Sequence, residues 1–219
     1  MELNPIFVSI RTAFVSTVLV SFVGIFIAYR LLNKQGVCKY IIETLILFPL
    51  FMPPSLVGYI TLILIGKKSF VGKIIDHIFN FSFIFTWQGS VLACFIVALP
   101  IMYQCVKGAM GAIDKNCIQA AKLDGATNLI VLFRITLPMC IKGILSGIIL
   151  SFARAFGEFG ASLMICGNIP GKTENIPMAI YFAVENGDFI KANKLTFVVI
   201  IISTTLIVFN NFLLKKREF

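Results

Sequence analysis

Five stretches of 20 or more residues run through this chain almost free of charge, and they leave it few ways to fold. They cover 6–32, 41–65, 85–106, 141–165 and 195–214. At a rise of about 1.5 Å per residue, each is long enough to cross a hydrocarbon core of roughly 30 Å as a helix. A soluble chain of 219 residues could bury a core but could not hide such runs. Composition agrees: 58% of the residues are apolar, 22 are Phe and only 13% are charged, with a mean hydropathy of +0.95, far from a soluble domain. The expected fold is therefore all-α and integral to the membrane, a single transmembrane domain over 1–219 with five helices. The segment Phe70 to Phe83 carries Lys73, Asp76, His77 and Asn80 among apolar residues, which suits an amphipathic helix at the interface better than a span.

An odd number of crossings puts the termini on opposite sides, and the side richer in Lys and Arg is the cytoplasmic one. The side holding the C-terminus collects Arg30, Lys34, Lys39, Lys107, Lys115, Lys122, Arg134, Lys142, Lys215, Lys216 and Arg217. The other collects Arg11, Lys67, Lys68, Lys73, Lys172, Lys191 and Lys194, and Arg154 lies within a span. The N-terminus is accordingly expected outside and the C-terminus inside. The start, MELNPIF, has an acid and no basic region, so the first helix reads as retained rather than cleaved. A net charge of +9 spread over several loops fits topology and contact with anionic membrane lipid. It lacks the single basic stripe of a nucleic-acid binder. The cysteines Cys38, Cys94, Cys105, Cys117, Cys140 and Cys166 form no CxxC pair and read as small apolar residues.

Between the third and fourth runs lies a polar island, 107–142, with helix signals of its own. Asp114 can cap a helix over 115–123. Gln119, Ala120 and Ala121 leave its middle open to close approach, and Gly125 can take the left-handed conformation that ends it. Thr127 can cap a second helix over 128–135, whose Leu129, Leu132 and Phe133 are expected to lie back on the bundle. Pro138 is expected to stop that helix. From the residues alone, this is either a docking element for a soluble partner or a re-entry loop with two surface helices.

The residue order resembles the EAA motif of ABC importer permeases. Gln119, Ala120, Ala121, Gly125, Ile135, Leu137 and Pro138 match its spacing, with Gln119 in place of the usual Glu. The resemblance implies a coupling helix that seats in a cleft on a cytoplasmic ATPase, and the Gln119 departure removes a charge from its first position. A second stretch, Ser151 to Tyr181, resembles the permeases of molybdate importers through its ARAFGEFGA core and the following NIPG. That likeness extends to LFPLFMPPSLVGY, Leu47 to Tyr59, and to the GKKSFVG loop. Sulfate and tungstate permeases share much of the same core. The resemblance implies a type I importer fold in a prokaryotic cell membrane, and alternating access without a covalent step. It implies a homodimer, since two ATPase subunits need two docking loops, and a soluble oxyanion-binding protein outside. ATP and Mg would be used by the ATPase, with no cofactor on this chain. A passive anion channel is the rival from another class and needs no docking motif.

Arg154 and Glu158 stand one helical turn apart on the fourth run. They read first as a buried pair that locks packing and second as a gate latch, with Gly157 and Gly160 beside them for close backbone contact at a dimer seam or pore wall. Pro49, Pro53 and Pro54 interrupt the second run, as either a packing kink or the broken helix of a transport path. GNIPGKT imitates a phosphate loop, but only Asn168, Ile169 and Pro170 separate its glycines where four residues are required. ATP binding by this chain is excluded on that ground, and the loop is expected to form an outer rim presenting Lys172, Glu174 and Asn175. His77 and the remaining polar residues compose no catalytic motif.

Overall fold

In hydrocarbon, every backbone N–H and C=O must find its partner within the protein, and a helix does this locally. A computed structural model of the chain describes residues 3–32 and 34–215, and every regular element among them is helical. In chain order these are α1 (Leu3–Leu32), α2 (Val37–Phe51), α3 (Pro54–Ile65), α4 (Phe70–Phe79), α5 (Trp87–Gly111), α6 (Lys115–Leu123) and α7 (Asn128–Val131). A π-helical turn (Leu132–Thr136) and α8 (Leu137–Met139) follow, then α9 (Ile141–Phe156), α10 (Gly160–Cys166), α11 (Ile176–Glu185) and α12 (Phe189–Leu214). Lys216 and Arg217, which entered the charge comparison, lie outside the described residues.

Three unbroken helices are long and apolar enough to cross a membrane: α1, α5 and α12. The other two runs do not form the single helices expected of them. The run 41–65 breaks where Met52 turns extended, with φ −99° and ψ 149°, and Pro53 and Pro54 start α3. Proline has no N–H to continue a ladder but fits the first turn of a new helix, so the tandem prolines end one helix and begin another. Pro49 is not part of this break and lies inside α2. The run 141–165 breaks at Gly157–Phe159, leaving α9 and the short α10. The sequence also gave no warning of α11, whose ten residues are too few for a crossing.

The amphipathic helix expected from Phe70 is present as α4. Ser69 caps α4 by accepting from the Gly72 N–H at 2.8 Å, and Asn80 ends it in the left-handed conformation at φ 48°. Its apolar Phe70, Val71, Ile74 and Ile78 are exposed, as are Lys73, Asp76 and His77, which is the two-faced surface an interface requires.

The main core lies among α1, α5 and α9, where Ala13, Val20, Ala98, Met102, Tyr103 and Phe156 are buried. At the opposite end from the island, Trp87 donates its ring N–H to the Thr12 hydroxyl at 2.9 Å, and Arg11 stacks 3.9 Å over its ring. All six cysteines are free thiols. Cys94, Cys140 and Cys166 are buried as expected of small apolar residues, whereas Cys38 and Cys117 are exposed.

A smaller core joins α3 to α10 and α5 through Val57, Ala93, Val97, Ala161 and Ile165. It depends on Gly58: a β-carbon there would stand 2.7 Å from the Ala161 α-carbon, against backbone that cannot yield. Gly58→Leu is therefore expected to lower stability by about 1–3 kcal/mol, the usual cost of overpacking. Thermal unfolding of the purified protein in detergent measures this.

Candidate functional site

The polar island builds a helix–turn–helix at one end of the bundle. Asp114 accepts from the Asn116 N–H at 2.9 Å and starts α6. At the other end of α6, the Ala126 N–H reaches Ala121 C=O at 2.9 Å and the Gly125 N–H reaches Lys122 C=O at 3.1 Å. This pair of bonds is the Schellman arrangement, which needs a left-handed residue between helix and turn. Gly125 supplies it with φ +84°. Thr127 then caps α7 by accepting from the Ile130 N–H at 3.4 Å. The Tyr29 hydroxyl donates to Asn128 C=O at 3.3 Å, tying this turn to the end of α1.

Two details of the second helix differ from expectation. Pro138 does not stop it; the chain stays helical to Met139 and bends by 70° into α9. The wider π turn just before Pro138 relieves the clash its ring would make with the preceding turn. The same turn changes which residues face inward. Val131, Thr136 and Cys140 are buried, while Leu129 and Phe133 stand 66% and 64% exposed. Val131 and Thr136 are five residues apart, the period of a π turn rather than an α turn.

The outward surface thus combines Gln119, Ala120 and Gly125, all exposed, with exposed Leu123, Leu129 and Phe133. Ala121 and Leu137 are half-buried and Pro138 is exposed. Small and apolar side chains beside a tight turn, outside the spans, are a surface built to be covered.

The second constellation lies at the two broken runs. Arg154 and Glu158 are paired, with Nη1 2.7 Å from Oε2, but they do not share a helix face. Arg154 ends α9, and Glu158 lies in the break beyond it. Glu158 is 1% exposed, and its other oxygen accepts the Ala161 N–H at 2.7 Å at the start of α10. Its backbone C=O accepts from the Asn175 side-chain amide at 2.7 Å. Asn175 in turn caps α11 by accepting the Met178 N–H at 3.0 Å, and the Ile176 N–H is taken by Ser9 of α1 at 2.8 Å. Glu158 therefore joins the ends of three helices, α9 and α10 through its carboxylate and α11 through its backbone C=O. The other break is adjacent: a β-carbon on Gly160 would lie 3.0 Å from Ser55 N and 3.2 Å from Pro54 Cβ. Gly160 thus serves contact with α3 of its own chain, while Gly157 is exposed and meets only Ala153 C=O, at 3.6 Å.

The outer rim needs correction. Lys172 is exposed, but Glu174 and Asn175 are buried because the loop folds inward on Thr173. That hydroxyl donates to Gly167 C=O at 2.9 Å and accepts the Ile169 N–H at 3.0 Å.

Sequence reasoning passed over a third cluster, at Glu43. Its carboxylate accepts from the Tyr103 hydroxyl at 2.7 Å and pairs with Lys107 at 2.9 Å. The signal was available: Glu43 is the one acid in the run 41–65, and an acid within a span is a functional candidate by default. Among the described residues, no group of His, Cys, Asp and Glu could hold a metal ion.

A broken-span bundle with an exposed helix–turn–helix at one end is the architecture of a transporter's membrane subunit, and comparison gives its class. Residues 20–216 match the inner membrane component of binding-protein-dependent transport systems, and the chain belongs to that family. Within it, the chain is 38% identical over 206 residues to the putative molybdenum transport system permease protein YvgM of Bacillus subtilis, covering 94% of this chain and 91% of that protein. It is 36% identical to the molybdenum transport system permease protein ModB of Haemophilus influenzae, covering 100% of this chain and 96% of that one. Among solved structures, the fold is similar to a bacterial alginate ABC transporter in complex with a periplasmic protein, with TM-score 0.75 at 16% identity over 95% of this chain and 76% of the other. It is also similar to the MetNI methionine ABC transporter, with TM-score 0.70 at 14% identity over 98% and 97%.

Proposed function

We propose that this chain is the permease of an ATP-driven importer that carries molybdate from a soluble binding protein into the cytoplasm by alternating access. One observation carries the reading: a chain similar over its whole length to molybdenum permeases presents an uncovered docking element built on Gly125. Two copies of the chain form the pore, and each docks one ATPase subunit on α6 and the turn after it. Gln119, Ala120, Ala121 and Gly125 meet the ATPase, and Leu137 and Pro138 set the angle at which the element returns to α9. ATP and Mg stay on the ATPase, and the permease binds no cofactor. The docking element faces the cytoplasm together with the C-terminus, and the N-terminus lies outside.

The path runs past the junction of the two breaks. Free helix ends within a membrane are tolerated where they line a cavity; Gly160 brings the second break against Pro54 of the first, and the path passes Pro53, Pro54, Gly157 and the Arg154–Glu158 pair. Glu158 is fully engaged, so the pair holds the junction shut rather than binding the anion. The test is uptake of labelled molybdate by vesicles containing permease, ATPase and binding protein, with competing oxyanions. Unlabelled molybdate is expected to compete, and sulfate in about 100-fold excess to leave uptake unchanged, since discrimination is a difference of affinities. Uptake abolished by sulfate would make this a sulfate permease.

A further inference from the structure

Helix α2 is attached to the bundle differently from its neighbours. None of its residues is buried, and it packs chiefly on α5. Ile42, Ile46 and Leu47 lie partly buried against the core, while Tyr40, Leu45 and Phe51 point away. On the inward stripe stands Glu43, its side chain 12% exposed, with one oxygen held by Tyr103 and the other by Lys107. Lys107 also lies 5.7 Å over the Tyr103 ring. Apolar residues of similar volume would join two helices at least as firmly, because the Lys107 side chain is 39% exposed and an ion pair open to solvent contributes little to stability. A clamp of this kind calls for an explanation in what it holds in register.

Its position supplies one. Lys107 lies one turn before the end of α5 at Gly111, and Asp114 caps the start of α6 soon after. The far end of α2 is the extended Met52, beyond which α3 is locked to α10 at Gly58. α2 is thus a lever with a hinge at Met52 and a handle at Glu43, and the handle is gripped by the helix that leads into the docking element. We infer that Glu43 is a positioning residue for transport: through Lys107 and Tyr103 it makes α2 follow the end of α5, so that displacement of α6 by the ATPase reaches the broken second span. The inference rests on the importer reading above.

The test uses the complete transporter in proteoliposomes and measures three quantities: ATPase retained on the permease, ATP hydrolysed, and molybdate moved per ATP. Glu43→Gln and Lys107→Met are expected to retain the ATPase and to hydrolyse ATP within about twofold of wild type. Molybdate moved per ATP is expected to fall about tenfold or more, the size of a lost coupling between sites. Exchanging the charges, Glu43→Lys with Lys107→Glu, is expected to recover part of that ratio. If the exchanged protein does not accumulate, Glu43→Gln decides alone. A wild-type transport ratio in Glu43→Gln overturns the inference, and so does a parallel loss of assembly, hydrolysis and uptake, which would mark the cluster as structural only. A wild-type chain that retains no ATPase overturns the importer reading and this inference with it, and that failure is visible before any substitution is made.

Discussion

Gly125→Val is expected to strip the ATPase from the permease and abolish ATP-driven uptake, while the membrane bundle stays folded. At φ +84° a β-branched residue is held in a conformation that costs about 1–3 kcal/mol. The two bonds that close α6, to Ala121 and Lys122, exist only in that conformation, so the chain relieves the strain by opening the turn. Among the described residues, nothing beyond the turn itself lies within 4 Å of a β-carbon there, so the damage is confined to the turn and to whatever docks on it. Gly125→Asn is the control, because Asn tolerates the left-handed region better than other residues with a β-carbon; it should keep most of the association. Co-purification of the ATPase, uptake, and thermal unfolding of the permease alone separate these outcomes. A passive channel would conduct unchanged in both variants.

Glu158→Ala has the largest expected effect on stability. Removing this side chain leaves the part-buried Arg154 guanidinium without its 2.7 Å partner and the Ala161 N–H without an acceptor. Breaking a fully buried ion pair from one side costs about 3–5 kcal/mol, and less where the remaining Arg154 is 29% exposed; an unsatisfied buried donor adds about 1–3 kcal/mol. Poor accumulation and a strongly lowered unfolding temperature in detergent are expected. Glu158→Gln, which can still accept from Ala161, should lose less. Wild-type thermal stability in Glu158→Ala would show that the ends of α9 and α10 are held by something other than this carboxylate.

The legible parts of this chain were those set by local chemistry. Asp114, Gly125 and Thr127 announce their caps by residue type, and each acts as a cap in the structure. The amphipathic α4 and the long helices α1, α5 and α12 follow from charge and apolar length alone. What escaped were the places where tertiary context overrides local signals. Gly157 to Phe159 sit within an unbroken apolar run, and the break there becomes visible only once Glu158 is seen accepting the Ala161 N–H in the first turn of α10. Helix spacing put Arg154 and Glu158 on one face; the pair survives because a carboxylate just past a helix end can still reach back to its last turn. Leu129 and Phe133 were assigned inward by an α-helical period, and the π turn at Leu132–Thr136 moved burial to Val131 and Thr136. Glu174 and Asn175 looked like rim residues because polar loops usually are, but a cap and a folded turn draw them inside.

The measurement that bears most directly on the central claim is uptake of labelled molybdate into vesicles holding permease, ATPase and binding protein, with ATP supplied or withheld on the ATPase side. Accumulation against a gradient is expected with ATP and none without it. Equal molybdate entry in the absence of ATP, or after the ATPase is removed, would contradict it.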